Sequence, residues 1–328
     1  MRIIFSRTYS DVYRVNSLMA LPDGAYLLTV SDVFNQRGNR TRVILIEKNG
    51  AVSETLVNGA ETLIGHARVG GTGILGIEWG DGRVRGAWPV ISLGKNPGTW
   101  NVNTTKYRTK KGDVRVISPS TNGFTGTSFN QNPRLIDALT GKGMGEVPAH
   151  GLINSGWQIK RGNRKKNVYY TMYFCPEGNF GLWRQDGWHM PGDWSQVRPA
   201  EKNTAWVGTG ARRQSRRPGS PVQGTLYKIN LEKKRKRKWL ETGSRGIRDA
   251  DVHKDGRILT AWTEPFEGWI SDPKDRDANH KLFTEPTLIQ DPDRSFGIAC
   301  AVRKNVGVYA YTSGSRTIEV IEVPLPKS

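Results

Sequence analysis

The stretch NSLMALPDGAYLLTV, from Asn16 to Val30, predicts two short strands joined by a tight turn at Asp23-Gly24. The next stretch, TRVILIEKNGAVSETL from Thr41 to Leu56, repeats this arrangement around Asn49-Gly50. Asp-Gly and Asn-Gly readily adopt the positive φ angles that tight hairpins require. Together the two stretches therefore predict a four-stranded antiparallel meander near the start of the chain.

The meander recurs imperfectly along the sequence. Asp249–Trp262 and Phe296–Tyr311 each repeat the strand, turn and strand, and weaker copies lie at Gly73–Glu78, at Trp157–Ile159 with Val168–Phe174, and at Thr204–Thr209 with Leu226–Leu231. A four-stranded meander of about 45 residues has the size of a propeller blade. We therefore predict an all-β fold, a single β-propeller domain over residues 1–328 with six or seven irregular four-stranded blades. Five blades stay an alternative, because long insertions interrupt the middle of the chain.

The first strand of the chain has no neighbouring partner in the sequence. Arg2–Phe5 is an isolated apolar run, and the last strand, Thr317–Val323, ends just before Pro324. In a closed propeller these two segments would lie in one sheet, where pairing satisfies edge groups that would otherwise stay open. We therefore predict that they pair with each other.

Three segments are predicted to be long loops, near residues 94–112, 119–145 and 176–199. They are rich in Gly, Asn, Pro and Trp and lack the alternation of strands. Loops of this kind carry contacts in many proteins. Trp183, Trp188 and Trp194 in the third segment are candidates for a binding platform, with space filling between blades as the alternative.

The chain is strongly basic. Its 49 Lys and Arg residues outnumber 30 Asp and Glu residues, which gives a net charge of +19 and a pI near 10.0. Such a balance favours anionic partners: acidic surfaces of other proteins in an assembly, an acidic glycan or a nucleic-acid backbone. The candidate binding residues fall in two clusters: Arg212, Arg213, Arg216 and Arg217, and then Lys233, Lys234, Arg235, Lys236, Arg237 and Lys238. The second cluster is predicted to be a hairpin tip in solvent, and neither cluster contains aromatic residues for stacking bases.

The sequence does not support a membrane protein, a disulfide framework or a metal site. No run approaches the roughly 20 apolar residues that cross a bilayer, and the first residues lack the apolar core of a signal peptide, so we predict no membrane insertion. Cys175 and Cys300 lack metal-site or disulfide-framework spacing and are predicted to be buried thiols. The carboxylates of Asp272–Asn279 are hard oxygen ligands, but the segment lacks the calcium-loop spacing, so a turn is predicted. We predict neither a metal nor a cofactor.

The segment Tyr13-Arg14-Val15-Asn16-Ser17-Leu18, with Tyr26 after the turn, resembles the first blade of sialidase-like propellers. The resemblance implies that Arg14 holds a substrate carboxylate and that a tyrosine, such as Tyr309 or Tyr311, acts as nucleophile. The loop from Val33 to Arg40 contains no Asp or Glu where that family keeps its acid/base, and the S-x-D-x-G-x-T-W motif is absent. A shared scaffold without the chemistry is the interpretation that these departures favour.

The irregular repeats, few cysteines and abundant Gly and Trp resemble, in general type, propeller components of bacteriophage tails and other virion assemblies. We therefore predict a non-enzymatic structural or adhesive protein of a virion, assembled in the host cytoplasm, that mediates protein–protein or surface contacts. A sialidase-like protein that binds or hydrolyses glycans is the alternative function, and a cytoplasmic protein is the alternative location.

Overall fold

The structure is a computed structural model of the 328-residue chain. The residues it describes are 1–10, 13–20, 24–32, 40–58, 60–69, 72–79, 91–92, 114–117, 134–137, 143–146, 152–161, 165–174, 181–184, 186–201, 203–209, 224–263, 265–285, 297–314 and 316–327. None of these residues lies in a helix, so the all-β prediction is confirmed for them. They accordingly include no helix long and apolar enough to cross a membrane.

The described strands form seven antiparallel sheets. Sheet 1 contains β2 (Tyr13–Ala20), β3 (Tyr26–Asp32), β4 (Arg40–Ile46) and β5 (Val52–Asn58); sheet 2 contains β6 (Ala60–Val69), β7 (Thr72–Trp79) and β8 (Ile91–Ser92); sheet 3 contains β9 (Val114–Ile117), β10 (Arg134–Asp137) and β11 (Gly143–Glu146). Sheet 4 contains β12 (Leu152–Arg161), β13 (Lys165–Phe174), β14 (Gly181–Arg184) and β15 (His189–Pro191); sheet 5 contains β16 (Trp194–Pro199), β17 (Thr204–Thr209), β18 (Thr225–Asn230) and β19 (Arg235–Glu241). Sheet 6 contains β20 (Gly246–Val252), β21 (Ile258–Thr263), β22 (Phe266–Ser271) and β23 (Asn279–Glu285); sheet 7 contains β24 (Ile298–Arg303), β25 (Val306–Ser313), β26 (Thr317–Pro324) and β1 (Arg2–Thr8).

The meander predicted from the first decisive stretch is confirmed as sheet 1. Its strands pair in chain order, from β2 through β5. Gly24 and Gly50 have φ angles of +98° and +86°, as the Asp-Gly and Asn-Gly turns require. At the second turn the Gly50 N–H donates to the Glu47 carbonyl at 2.9 Å, and the Asn49 side chain accepts from the Ala51 N–H.

The predicted pairing of the first and last strands is also confirmed. β1 runs antiparallel to β26, with Arg2 opposite Glu322 and Thr8 opposite Thr317. Phe5 is buried in the core shared with sheet 1, whereas most other side chains of β1 are exposed. Sheet 7 is therefore built from both ends of the described chain.

Two of the predicted loops contain strands. Residues 181–199 of the third segment form β14, β15 and β16, and the second segment contains β10 and the first residues of β11. The sequence shows no alternation of apolar and polar residues here because β14 and β15 are short and are separated by a turn. Gly187 in this turn has a φ of +91°. The segment 94–112 lies outside the described residues.

The sheets pack face against face through apolar cores. One core joins sheets 1 and 7, another joins sheets 6 and 7, and two more lie between sheets 4 and 5 and between sheets 5 and 6. One edge strand of each sheet lies beside an edge strand of the next, in the order β2, β6, β9, β12, β16, β20 and β24, and β24 lies beside β2; we call these the contact strands. Cys300, in β24, is buried as predicted, and Cys175 lies outside the described residues.

Candidate binding surface

The second basic cluster lies on the hairpin of β18 and β19. The Asn230 side chain accepts hydrogen bonds from the Glu232 and Lys233 N–H groups at 3.1 and 2.9 Å, which fixes the turn between the strands. Only Lys233 and Lys234 belong to this turn; the other four cations belong to β19. The prediction of a hairpin tip is therefore corrected: most of the cluster lies along β19, an edge strand of sheet 5. All six side chains, Lys233 to Lys238, are exposed, and we call them the basic edge.

Aromatic rings from elsewhere in the chain lie beneath one face of the basic edge. The Lys234 Nζ is 5.1 Å from the centre of the Trp188 ring, and it donates a 2.8 Å hydrogen bond to the His189 carbonyl. The Lys236 Nζ is 5.4 Å from the centre of the Trp194 ring and 5.2 Å from that of Tyr227. Cation–π contacts at exposed sites contribute about 0.5–1 kcal/mol each. The cluster is therefore supported by aromatic side chains that its own sequence lacks.

The opposite face of β19 carries a second aromatic support. Arg237 lies directly opposite Lys228 of β18, and both cations lie over the Trp239 ring, at 5.6 and 5.1 Å. The Lys228 Nζ also donates to the Pro273 carbonyl at 2.7 Å and lies 3.4 Å from the Glu201 carboxylate. Like charges directly opposite each other destabilise a sheet. An anion bound here would relieve this repulsion.

The carboxylates near the basic edge neutralise little of its charge. Among the described residues, Lys238 is the only member of the six in an ion pair, with Glu241, which raises the pKa of the Lys238 ammonium. Exposed pairs of this kind contribute little to folding. The basic edge therefore presents a nearly uncompensated positive charge to solvent.

The three predicted tryptophans do not form one open platform. Trp194 is 2% exposed and meets Tyr227 edge to face at 5.4 Å. Trp188 meets Tyr169 edge to face at 5.7 Å and packs against the same core, whereas Trp183 stacks on His189 at 4.0 Å. Trp188 and Trp194 thus fill space between sheets 4 and 5, which was the alternative interpretation, while their rings support Lys234 and Lys236.

The side chains of the remaining candidate residues lie outside the part of the chain that the structure describes. Arg212, Arg213, Arg216 and Arg217 lie outside the described residues. The backbone of Arg14 pairs with Ser31 between β2 and β3, and its side chain lies outside the described part. Their roles stay predictions.

Polar side chains join β16, β20 and β24, the contact strands of sheets 5, 6 and 7, to one another. Ser195 Oγ, Gln196 Nε2 and Arg198 Nε donate to the carbonyls of Ile247, Arg248 and Ala250 at 2.6, 2.8 and 2.6 Å. One sheet further on, the carboxylates of Asp249 and Asp251 accept from the N–H groups of Cys300 and Val302 at 3.0 and 2.7 Å. The residues joined by these hydrogen bonds are 52 positions apart in the sequence between sheets 5 and 6, and 51 positions apart between sheets 6 and 7. The side-chain hydrogen bonds therefore recur from sheet to sheet at nearly the same spacing.

Burial raises the pKa of the Asp249 carboxyl to about 6, and the Arg198 guanidinium, 3.4 Å away, opposes part of that rise. A carboxyl with such a pKa is a candidate for acid–base chemistry. Both side chains are nevertheless buried within the ties between sheets, and the Asp249 oxygens accept backbone hydrogen bonds. We therefore assign Asp249 a structural role.

The solved structures that match this chain include propellers. The chain matches the WD40 β-propeller domain of Doa1 with a TM-score of 0.58 and 10% identity, over 97% of this chain and 95% of that one. It matches the Dos1 propeller with a TM-score of 0.52 and 9% identity, over 99% and 95% of the two chains. The fold is that of a β-propeller.

A third match is the extracellular domain of the putative hybrid two-component system BT4673 from B. thetaiotaomicron. The TM-score is 0.54 and the identity is 11%. The match covers 96% of this chain and 39% of that chain. No protein-family model and no curated protein match the sequence. These identities show the propeller fold alone.

The tyrosines that the sialidase resemblance offered as nucleophiles are buried in the propeller core. Tyr309 and Tyr311 are 0% and 2% exposed and pack against Phe283. Burial raises the pKa of both phenols, and Glu319, which accepts a 3.0 Å hydrogen bond from the Tyr311 hydroxyl, raises the pKa of Tyr311 further. Neither phenol is available to attack a substrate.

The acidic segment from Asp272 to Asn279 forms a turn, as predicted. Asp272 accepts from the Lys274 N–H at 2.7 Å and Asp275 accepts from the Asp277 N–H at 2.9 Å. Across the described ranges, no three His, Cys, Asp or Glu side chains are grouped so that they could hold a metal ion.

Proposed function

We propose that this propeller is a non-enzymatic interaction scaffold that binds an anionic protein partner through the basic edge. The observation that carries the proposal is the row of exposed cations on β19, supported on both faces by Trp194, Tyr227 and Trp239. Ordered side chains lose less conformational freedom on binding than mobile ones. A preordered, uncompensated positive surface is therefore suited to an acidic partner.

We also propose that the seven described sheets are the blades of a single closed ring. The neighbouring contact strands and the hydrogen bonds that recur at spacings of 52 and 51 residues support this arrangement. Between sheets 1 and 7, the Tyr26 hydroxyl donates to Glu322 at 2.6 Å and accepts from Arg303 at 3.0 Å. A ring of this kind would hold the basic edge on its outer surface, because β19 is the last strand of its blade.

The biological setting that we propose is a virion, with the chain as a structural or adhesive component such as a tail protein. The support is the composition and the irregular repeats of the sequence, together with the basic edge as a contact surface. In this setting the protein would join other components of the assembly through their acidic surfaces.

Replacing Arg235, Lys236, Arg237 and Lys238 by serine tests the proposed surface. Four exposed ion pairs at about 0.5 kcal/mol each correspond to a loss of affinity for poly-glutamate of roughly 30-fold. We expect this loss in fluorescence anisotropy, with a weaker dependence of affinity on salt concentration because fewer charges are paired. The melting temperature should fall by no more than a few degrees, because the cation–π contacts of Lys236 and Arg237 are lost together with the repulsion between Arg237 and Lys228.

The matched control replaces Lys48, Lys254, Arg316 and Lys327 by serine, which removes the same charge from exposed positions elsewhere. This control should bind poly-glutamate almost as tightly as the unaltered chain. Equal losses in the two variants would mean that net charge alone attracts the polymer, and the proposed surface would be rejected.

A further inference from the structure

We infer that the partner of the basic edge is an extended acidic protein segment that pairs with β19 as a fifth strand of sheet 5. This inference rests on the proposed function and adds the conformation of the partner. Within the described residues, β19 is hydrogen-bonded to β18 on one side only. An edge strand presents unpaired N–H and C=O groups along its other side, which can pair with another chain.

The cations of β19 alternate between the two faces of the sheet. Lys236 and Lys238 lie opposite Ile229 and Tyr227 on one face, and Arg237 lies opposite Lys228 on the other. Side chains on one face of a strand repeat about every 6.6–6.8 Å, which is two residues. A strand paired with β19 has this same repeat, so its alternate side chains would oppose cations on both faces.

The side-chain contacts favour a strand with acidic residues over other occupants. Lys236 and Arg237 lie over rings on opposite faces of the sheet, so the backbone edge between them is flanked by cations. A second copy of the same strand would place like charges opposite one another, which is unfavourable. A carboxylate-bearing strand would instead form opposite-charge pairs along the whole edge.

Three peptides of the repeat Glu-Glu-Thr, which places carboxylates on both faces of a strand, test the inference with the full chain. The first is unmodified, the second is N-methylated at every other residue, and the third is N-methylated at every residue. The second keeps one complete set of alternate N–H groups and can still pair with an edge, whereas the third cannot donate at all. All three carry the same charge.

We expect the second peptide to bind within about threefold of the first, and the third to bind at least about tenfold more weakly, because it loses several backbone hydrogen bonds. Equal affinities for the first and third peptides would overturn strand pairing while leaving the basic edge as an anion-binding surface. Tighter binding of a single-stranded oligonucleotide of equal charge than of the first peptide would also overturn the inference. If no polyanion binds, the proposed function itself fails.

Discussion

Replacing Asp251 by alanine is expected to lower the free energy of unfolding by about 2–4 kcal/mol. The Asp251 carboxylate accepts hydrogen bonds from the N–H groups of Val302, in sheet 7, and Val252, at 2.7 and 3.0 Å. Alanine removes both acceptors at a position that is 7% exposed, and each unsatisfied buried donor costs about 1–3 kcal/mol. Urea unfolding, followed by tryptophan fluorescence, measures the loss.

The control for this substitution is Asp277→Ala, in the exposed turn between β22 and β23. It should change the free energy of unfolding by less than about 0.5 kcal/mol, as expected of surface substitutions. If Asp251→Ala were equally mild, the side-chain hydrogen bonds between β20 and β24 would not hold sheets 6 and 7 together.

Replacing Trp206 by alanine should destabilise the protein by about 3–5 kcal/mol, because it leaves a large cavity. Trp206 is 1% exposed and meets Trp239 edge to face at 5.3 Å. Since Trp239 supports Arg237 and Lys228, we expect affinity for poly-glutamate to fall as well. Urea unfolding and fluorescence anisotropy measure the two effects.

Trp206→Phe separates the cavity from the indole group. The Trp206 Nε1 has no hydrogen-bond partner among the described residues, so phenylalanine sacrifices no bond there. We expect a loss below about 2 kcal/mol and nearly normal binding. Equal losses for the phenylalanine and alanine variants would show that the volume of the ring does not govern this core.

The sequence predicted those parts of the fold in which residues typical of turns separate the strands. Sheet 1 was predictable because Asp-Gly and Asn-Gly separate clear apolar runs, and the pairing of β1 with β26 followed from an apolar run without a local partner. The strands of residues 181–199 were missed. There β14 has four residues and β15 has three, which is too few for a visible alternation.

The sequence predicted the charge of the candidate surface, but it did not predict the aromatic rings that pack beneath the charged side chains. The run Lys233–Lys238 is visible in the sequence, whereas the rings beneath it come from Trp188, Trp194 and Tyr227, at separate places in the chain. Their meeting depends on how sheets 4 and 5 pack. The ties between Asp249, Asp251 and β24 likewise depend on the spacing between sheets, and a single Asp-x-Asp in a strand does not indicate them.

Amide hydrogen exchange of the full chain, with and without poly-glutamate, tests the basic edge most directly. Binding there predicts that exchange slows at the amides of residues 235–238 and in the adjoining turn, with little change at the exposed turn near Lys254. Slowing confined to other sheets, with β19 unchanged under conditions where the polymer binds, would contradict the assignment of the basic edge as the binding surface.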